Sequence, residues 1–221
     1  MRVKSTWHKT QIKTIDDIAG ALAFNAWRIT KNQLTDLINE AYVIEKEQVF
    51  DVIQEYLCYL IQCVDRLTFD ILDAKKRQEL IIALAKQSAD YYHENKGERI
   101  GAGDHWQEFI QTYNERAQDY SDYAFQDSEP NYLFMRYFGE KIKHAMTAVD
   151  DKWIIQQIVE IQAPKAFQAI RKSVNDLVSV KQIISKEEKV EREKDKVPRS
   201  KRKSTRQDAA YNNKSSSDHI V

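Results

Sequence analysis

Between residues 45 and 72 the apolar residues fall on a helical beat. Ile53, Leu57, Leu60, Val64, Leu67 and Ile71 follow one another at steps of 4, 3, 4, 3 and 4, which draws a seam down one side of an α-helix. Beside it runs a second line, Cys58, Ile61, Phe69 and Leu72. A helix that is apolar on two sides is covered on two sides, so residues 45–72 are expected to lie at the centre of a helical bundle. At about 1.5 Å per residue that helix would be about 40 Å long, enough to span a domain.

The flanking sequence supports further helices. Thr14 with Asp17 three residues on has the form of a capping box, with Asp in place of Glu, and Thr30 with Gln33 has the same form. They predict a first helix from Thr14 and a short second one from Thr30, followed by the central helix. The triplet Ala19-Gly20-Ala21 is small enough to let a neighbouring helix approach. Asp73 is the expected cap of a helix running to about Asn95 and stopping at Lys96-Gly97. Asp104 caps the next helix, with Trp106, Phe109, Tyr113 and Tyr120 inward. Ser128-Glu129-Pro130 is expected to open another, and Asp150 or Asp151 the last, with Trp153, Ile154, Ile158 and Ile161 inward. Pro164 then breaks or kinks that helix, because proline lacks an N–H donor and clashes with the preceding turn.

With 5 Gly and 3 Pro in 221 residues, few positions interrupt helices. The expected fold is all-α, an irregular bundle of about seven helices over residues 1–180, with residues 181–221 as a charged, disordered basic tail. The formal charge of zero is unevenly spread. Residues 181–221 hold 12 Lys/Arg and 7 Asp/Glu, a net of +5, which leaves −5 for residues 1–180. No run approaches the roughly 18 consecutive apolar residues of a membrane helix, so no membrane insertion is expected. The basic start, Met1–Lys13, leads into no apolar core, so no secretory signal is expected. The two cysteines, Cys58 and Cys63, are five residues apart and point about 140° away from each other on a helix, so they cannot bridge within it. Two buried thiols suit a reducing cytoplasm.

Candidate sites are few. Asp65 is a carboxylate set into the second apolar line, one turn from Ile61 and from Phe69. A buried carboxylate needs a cation, and Arg116 or Arg136 from a neighbouring helix is the expected partner. With the adjacent Arg66 they make a candidate buried polar site, read first as a structural ion pair. Arg66 and Asp70 are spaced as a helix-surface pair. Metal chemistry finds little support. Carboxylate-bridged metal pairs in bundles need two Glu-x-x-His repeats, and only His105-x-x-Glu108, Glu140-x-x-x-His144 and His93-Glu94 are offered. No metal or cofactor is therefore expected. The loop Gly97–Gly103 precedes a helix N-terminus but lacks the strand and the Gly-Lys-Ser/Thr of a phosphate loop.

Residues 113–138 are rich in aromatic side chains. Tyr123, Phe125 and Phe134 lie off the main stripes and are a candidate exposed interaction patch. In the tail, Lys194 to Arg206 holds seven basic residues and one acidic one. Lys194, Lys196, Arg199, Lys201, Arg202, Lys203 and Arg206 are candidate phosphate contacts. No aromatic residue is interleaved before Tyr211 to stack on bases. The leading expectation is a non-enzymatic cytoplasmic adaptor or scaffold whose partner is another protein. The alternatives are a nucleic-acid-associated protein acting through its tail, and a helical metal-binding protein or enzyme with a site near Asp65.

Overall fold

A computed structural model describes residues 13–40, 42–46, 48–146 and 153–178, and the backbone of 183–184. The architecture is an all-α bundle, and its helices belong to one compact unit ending at Ile183. The expected caps at Asp150 and Asp151 lie outside the described residues, as do the basic residues Lys194, Lys196, Arg199, Lys201, Arg202, Lys203 and Arg206.

Helix α1 (Ile15–Asn39) starts at the expected capping box. The Thr14 hydroxyl accepts from the Asp17 N–H at 3.1 Å, and the Asp17 carboxylate accepts from the Thr14 N–H at 2.9 Å. The second box, Thr30 with Gln33, starts no helix. Both residues are buried within α1, on a face that continues from Ile29 to Leu37, and packing along that face overrides a local cap signal. Gly20 lies against the Gln87 side chain, so α1 and helix α3 (Ala74–Ile100) meet closely where the small residues are.

Helix α2 (Val49–Thr68) is the centre of the bundle. It is shorter at both ends than 45–72, but every residue from Val52 to Val64 is buried. It touches α1, α3, α4 (His105–Ser121), α5 (Tyr132–Ala145) and α7 (Ala163–Leu177). Its last turn is closed by Thr68, whose hydroxyl donates to the Val64 carbonyl at 2.8 Å. Phe69, expected in the second apolar line, falls beyond the helix and is 61% exposed, with the Arg77 guanidinium 4.9 Å from its ring centre.

Asp73 caps α3 as expected, accepting from the Lys76 N–H at 2.9 Å. The helix runs past Gly97 and stops at Gly101, whose φ of 119° is open to glycine and strained for other residues. Asp104 caps α4. No helix begins at Ser128. Strand β1 (Phe125–Gln126) pairs antiparallel with β2 (Glu129–Pro130), and Asp127 and Ser128 form the turn at φ of 50° and 59°. Two positive-φ residues are what a tight hairpin requires. Asn131 then caps α5, accepting from the Phe134 N–H at 2.9 Å.

The last rod is continuous. Helix α6 (Ile154–Gln157) passes through a π-helical turn, Ile158–Gln162, into α7. The wide turn lies just before Pro164, so the missing donor widens the helix without ending it. It also shifts the register. Ile158, Val159, Gln162 and Ala163 are buried, whereas Ile161, expected inward at 3.6-residue spacing, is exposed. Trp153, also expected inward, precedes the π turn and is exposed at the N-cap of α6, next to the buried Ile154. With α6 and α7 as one rod and α1 unbroken, six helical rods stand among the described residues. The rod packs on α5 where Gly139 faces Ile155, a Cβ at that position lying 3.2 Å from the Ile155 methyl. Among the described residues no helix is long and apolar enough to cross a membrane.

Candidate functional site

The buried face of α2 carries a polar stripe. Gln54, Glu55 and Gln62 are buried, Asp65 is half-buried and Asp51 is exposed at the edge; Gln54, Glu55 and Asp65 each meet polar side chains of α3 or α4, in three sets.

The first set joins α2, the end of α3 and the start of α4. The buried Tyr92 hydroxyl lies 2.9 Å from Gln54 Oε1 and 3.1 Å from Glu108 Oε1, and its single proton serves one of them at a time. The Lys96 ammonium donates to the Tyr92 oxygen at 3.0 Å and to Glu108 Oε1 at 2.6 Å. His105 Nδ1 is 3.2 Å from Glu108 Oε2, and its Nε2 is 2.9 Å from the Gly101 carbonyl. Burial, followed by the Glu108 charge, pushes the Tyr92 hydroxyl far up. Burial also works against the ionised form of Glu108, but the bonds from Lys96 and His105 outweigh it and hold the carboxyl below its usual value. Asp51 is pushed the other way, chiefly by burial, which the charge of Lys96 opposes.

These directions predict an acid limb in stability. Glu108 has a depressed folded pKa, so its contribution is present above the unfolded value, near pH 4.3, and is lost as pH falls through the folded one. Asp51 has a raised folded pKa and opposes this trend, since its contribution is present at low pH and lost as pH rises. Glu108→Gln is expected to flatten the loss of stability seen in urea titrations between about pH 5 and pH 3. An unchanged acid limb would place its origin elsewhere.

The second set centres on Arg116. Its Nε donates to Glu55 Oε1 and Oε2 at 3.1 and 2.9 Å, and its Nη2 donates to Oε1 at 2.7 Å. The side chains are 14% and 9% exposed. Burial alone would lower the Arg116 pKa, and the Glu55 bonds raise it instead. Asp119 is 3.9 Å from Arg116 Nη1 and also accepts a hydrogen bond from the Tyr137 hydroxyl.

The third set holds Asp65, which pairs with Arg77 at 3.0 Å; both side chains are about a quarter exposed, at 24% and 25%. The arginines expected for Asp65 are engaged elsewhere, Arg116 with Glu55 and Arg136 with Glu140 one turn along α5. Arg66 donates to the Tyr120 carbonyl at 3.1 Å. The four residues proposed as one polar site therefore belong to separate contacts. Because the Asp65–Arg77 pair reaches solvent, Asp65→Ala is expected to cost about 1 kcal/mol or less in chemical denaturation. A cost near that of a fully enclosed pair, ~3–5 kcal/mol, would show that the pair is dry.

The proposed aromatic patch is mostly core. Phe134 is fully buried against Tyr59, Tyr120 and Phe125. Phe125 is half-buried between Phe134 and Phe167, and Tyr123 is half-buried against Tyr137. Among the described residues the large exposed apolar groups include Trp153 (68%), Tyr132 (59%) and Leu133 (54%), besides Val43, Phe69 and Ile38 elsewhere. The signal for Tyr132 and Leu133 was the Asn131 cap, which places both in a first turn off the buried face of α5. Trp153 stands at the N-cap position of α6, beside the buried Ile154, and the apolar spacing that placed it inward does not mark that start.

Both ring nitrogens of His105 already face oxygens, and among the described residues no three His, Cys, Asp or Glu side chains gather to hold a metal. Cys58 and Cys63 are free and buried, and burial pushes both thiols up. A cleft of about 310 Å³ opens between α1 and α7, with Asn25, Arg28 and Ile29 on one wall and Lys172, Asp176 and Leu177 on the other. No protein-family model matches the chain, and no curated protein or solved structure was found to be similar to it.

Proposed function

We propose that the chain is a non-enzymatic protein-interaction module, an adaptor or scaffold working in the cytoplasm. The observation that carries this reading is the pair Tyr132 and Leu133. They are adjacent in the first turn of α5, and each leaves more than half its surface in water. Trp153, at the start of α6, adds a third large exposed side chain. Trp and Tyr are the types that dominate the energetics of protein interfaces, and exposed apolar patches mark contact surfaces. The charged side chains between α2, α3 and α4 support the same reading, since Glu55 and Asp65 of α2 and Glu108 of α4 each have a cation from a neighbouring helix as partner. Two free thiols fit a reducing compartment.

The test is capture from nuclease-treated lysate, with the wild type and two variants, Tyr132→Ser/Leu133→Ser and Trp153→Ala. The expected result is nuclease-resistant capture of a defined protein, lost in at least one variant whose melting temperature matches the wild type. Capture that vanishes with nuclease would favour nucleic-acid association instead. Capture unchanged in both variants would refute the assigned surface.

A further inference from the structure

We propose that the α1–α7 cleft is a docking site for an acidic segment of a partner protein, a Glu or Asp side chain flanked by an aliphatic residue. This rests on the protein-interaction reading and names the partner's chemistry. The argument begins with the cations of α7. Lys165 pairs with Asp36 at 3.1 Å and Arg171 with Glu129 at 3.0 Å. Lys172, next in the chain and lining the cleft, has no carboxylate partner among the described residues, and neither has Arg28 across from it. The Arg28 guanidinium carbon is 5.9 Å from the ring centre of Phe24, one turn back on α1, a contact that takes up none of its N–H donors. Two cations on opposite walls make a receptor for one carboxylate.

The rest of the lining narrows the class. Ile29, Ala169 and Leu177 supply the apolar part of the lining, which suits the aliphatic part of a peptide. Ser173 donates its hydroxyl proton to the Ala169 carbonyl at 3.1 Å, so its oxygen faces the cleft as an acceptor. Asp176 adds a carboxylate one turn beyond Lys172. These acceptors suit backbone N–H groups and oppose a doubly charged phosphate. With Arg28, Lys172 and Asp176 the lining has a net charge of +1, matched by a single carboxylate. A volume of about 310 Å³ is at the small end of ligand sites and takes two side chains more readily than a folded surface.

The experiment is fluorescence anisotropy of the full chain with a fluorescein-labelled peptide of alternating Glu and Leu, against the same peptide with Gln for Glu. The acidic peptide is expected to bind at least about tenfold more tightly, and more weakly as salt rises. Arg28→Gln/Lys172→Gln is expected to remove that preference, and Asp176→Asn to strengthen binding. All three positions border solvent, and matching melting temperatures will show that the variants fold. Equal binding of the two peptides, an unaffected double variant, or weaker binding by Asp176→Asn would each overturn the proposal. Lysate capture that depends on Tyr132, Leu133 or Trp153, with no peptide bound, sinks the cleft and leaves the interaction module standing. Cleft-dependent peptide binding with no lysate capture supports the cleft and sinks the wider reading.

Discussion

Arg116→Ala is expected to destabilise the domain by about 3–5 kcal/mol, measured by urea or guanidinium denaturation. The cost comes from what remains. Glu55 is on the buried face of α2 with its side chain 9% exposed, and its three described hydrogen bonds all come from Arg116. Taking away the guanidinium leaves a carboxylate in a poorly hydrated place with no donor to replace it. The pair itself is a different matter, because two desolvated ions regain little more than they lose. Glu55→Leu with Arg116→Met, similar in volume and uncharged, should therefore recover most of the loss. A cycle of the single and double variants separates the two quantities. A loss below about 1 kcal/mol for Arg116→Ala would mean that water reaches Glu55 once the arginine has gone.

Leu60→Ala is expected to cost about 2–5 kcal/mol, toward the upper end. Leu60 has no exposed surface, and it sits mid-way along a helix with neighbours on every side. Walls fixed by several helices cannot all move in to fill the space of a lost isobutyl group, so the cavity term adds to the transfer term. Phe69→Ala is the matched contrast. The same apolar spacing runs through Phe69, yet its ring is 61% exposed and meets Arg77 from outside the helix, so its removal should cost about 0.5–1 kcal/mol. Equal losses at the two positions would show that Phe69 is packed like the core rather than exposed.

The all-α class, the centrality of α2 and the caps at Thr14, Asp73 and Asp104 could be read from the residues alone. Each depends on neighbours within one or two turns. A cap needs a short oxygen-bearing side chain and the N–H three residues on, and a seam needs apolar residues at steps of 3 and 4. The same local character explains the misreadings. Thr30-Gln33 has the form of a cap, but Ile29 and Leu37 continue one buried face through it. Ser128-Glu129-Pro130 resembles a helix start, but Asp127 and Ser128 turn back on themselves and Asn131 does the capping.

The ion pairs were not legible in this way. Asp65 was identifiable as a carboxylate needing a cation, but Arg77, Arg116 and Arg136 are equally plausible on paper. The choice among them is set by where α3, α4 and α5 cross α2. Burial of Phe134 and exposure of Ile161 and Trp153 have tertiary origins, the first in the packing around α5, the second in a π turn that moves the residues within and after it around the axis, and the third in where α6 begins. Helices and their inward stripes follow from the sequence because the 3.6-residue period is a property of the local backbone. Partners across helices, and which aromatic groups meet water, were decided only by the tertiary structure, because they depend on crossing positions that no local spacing encodes.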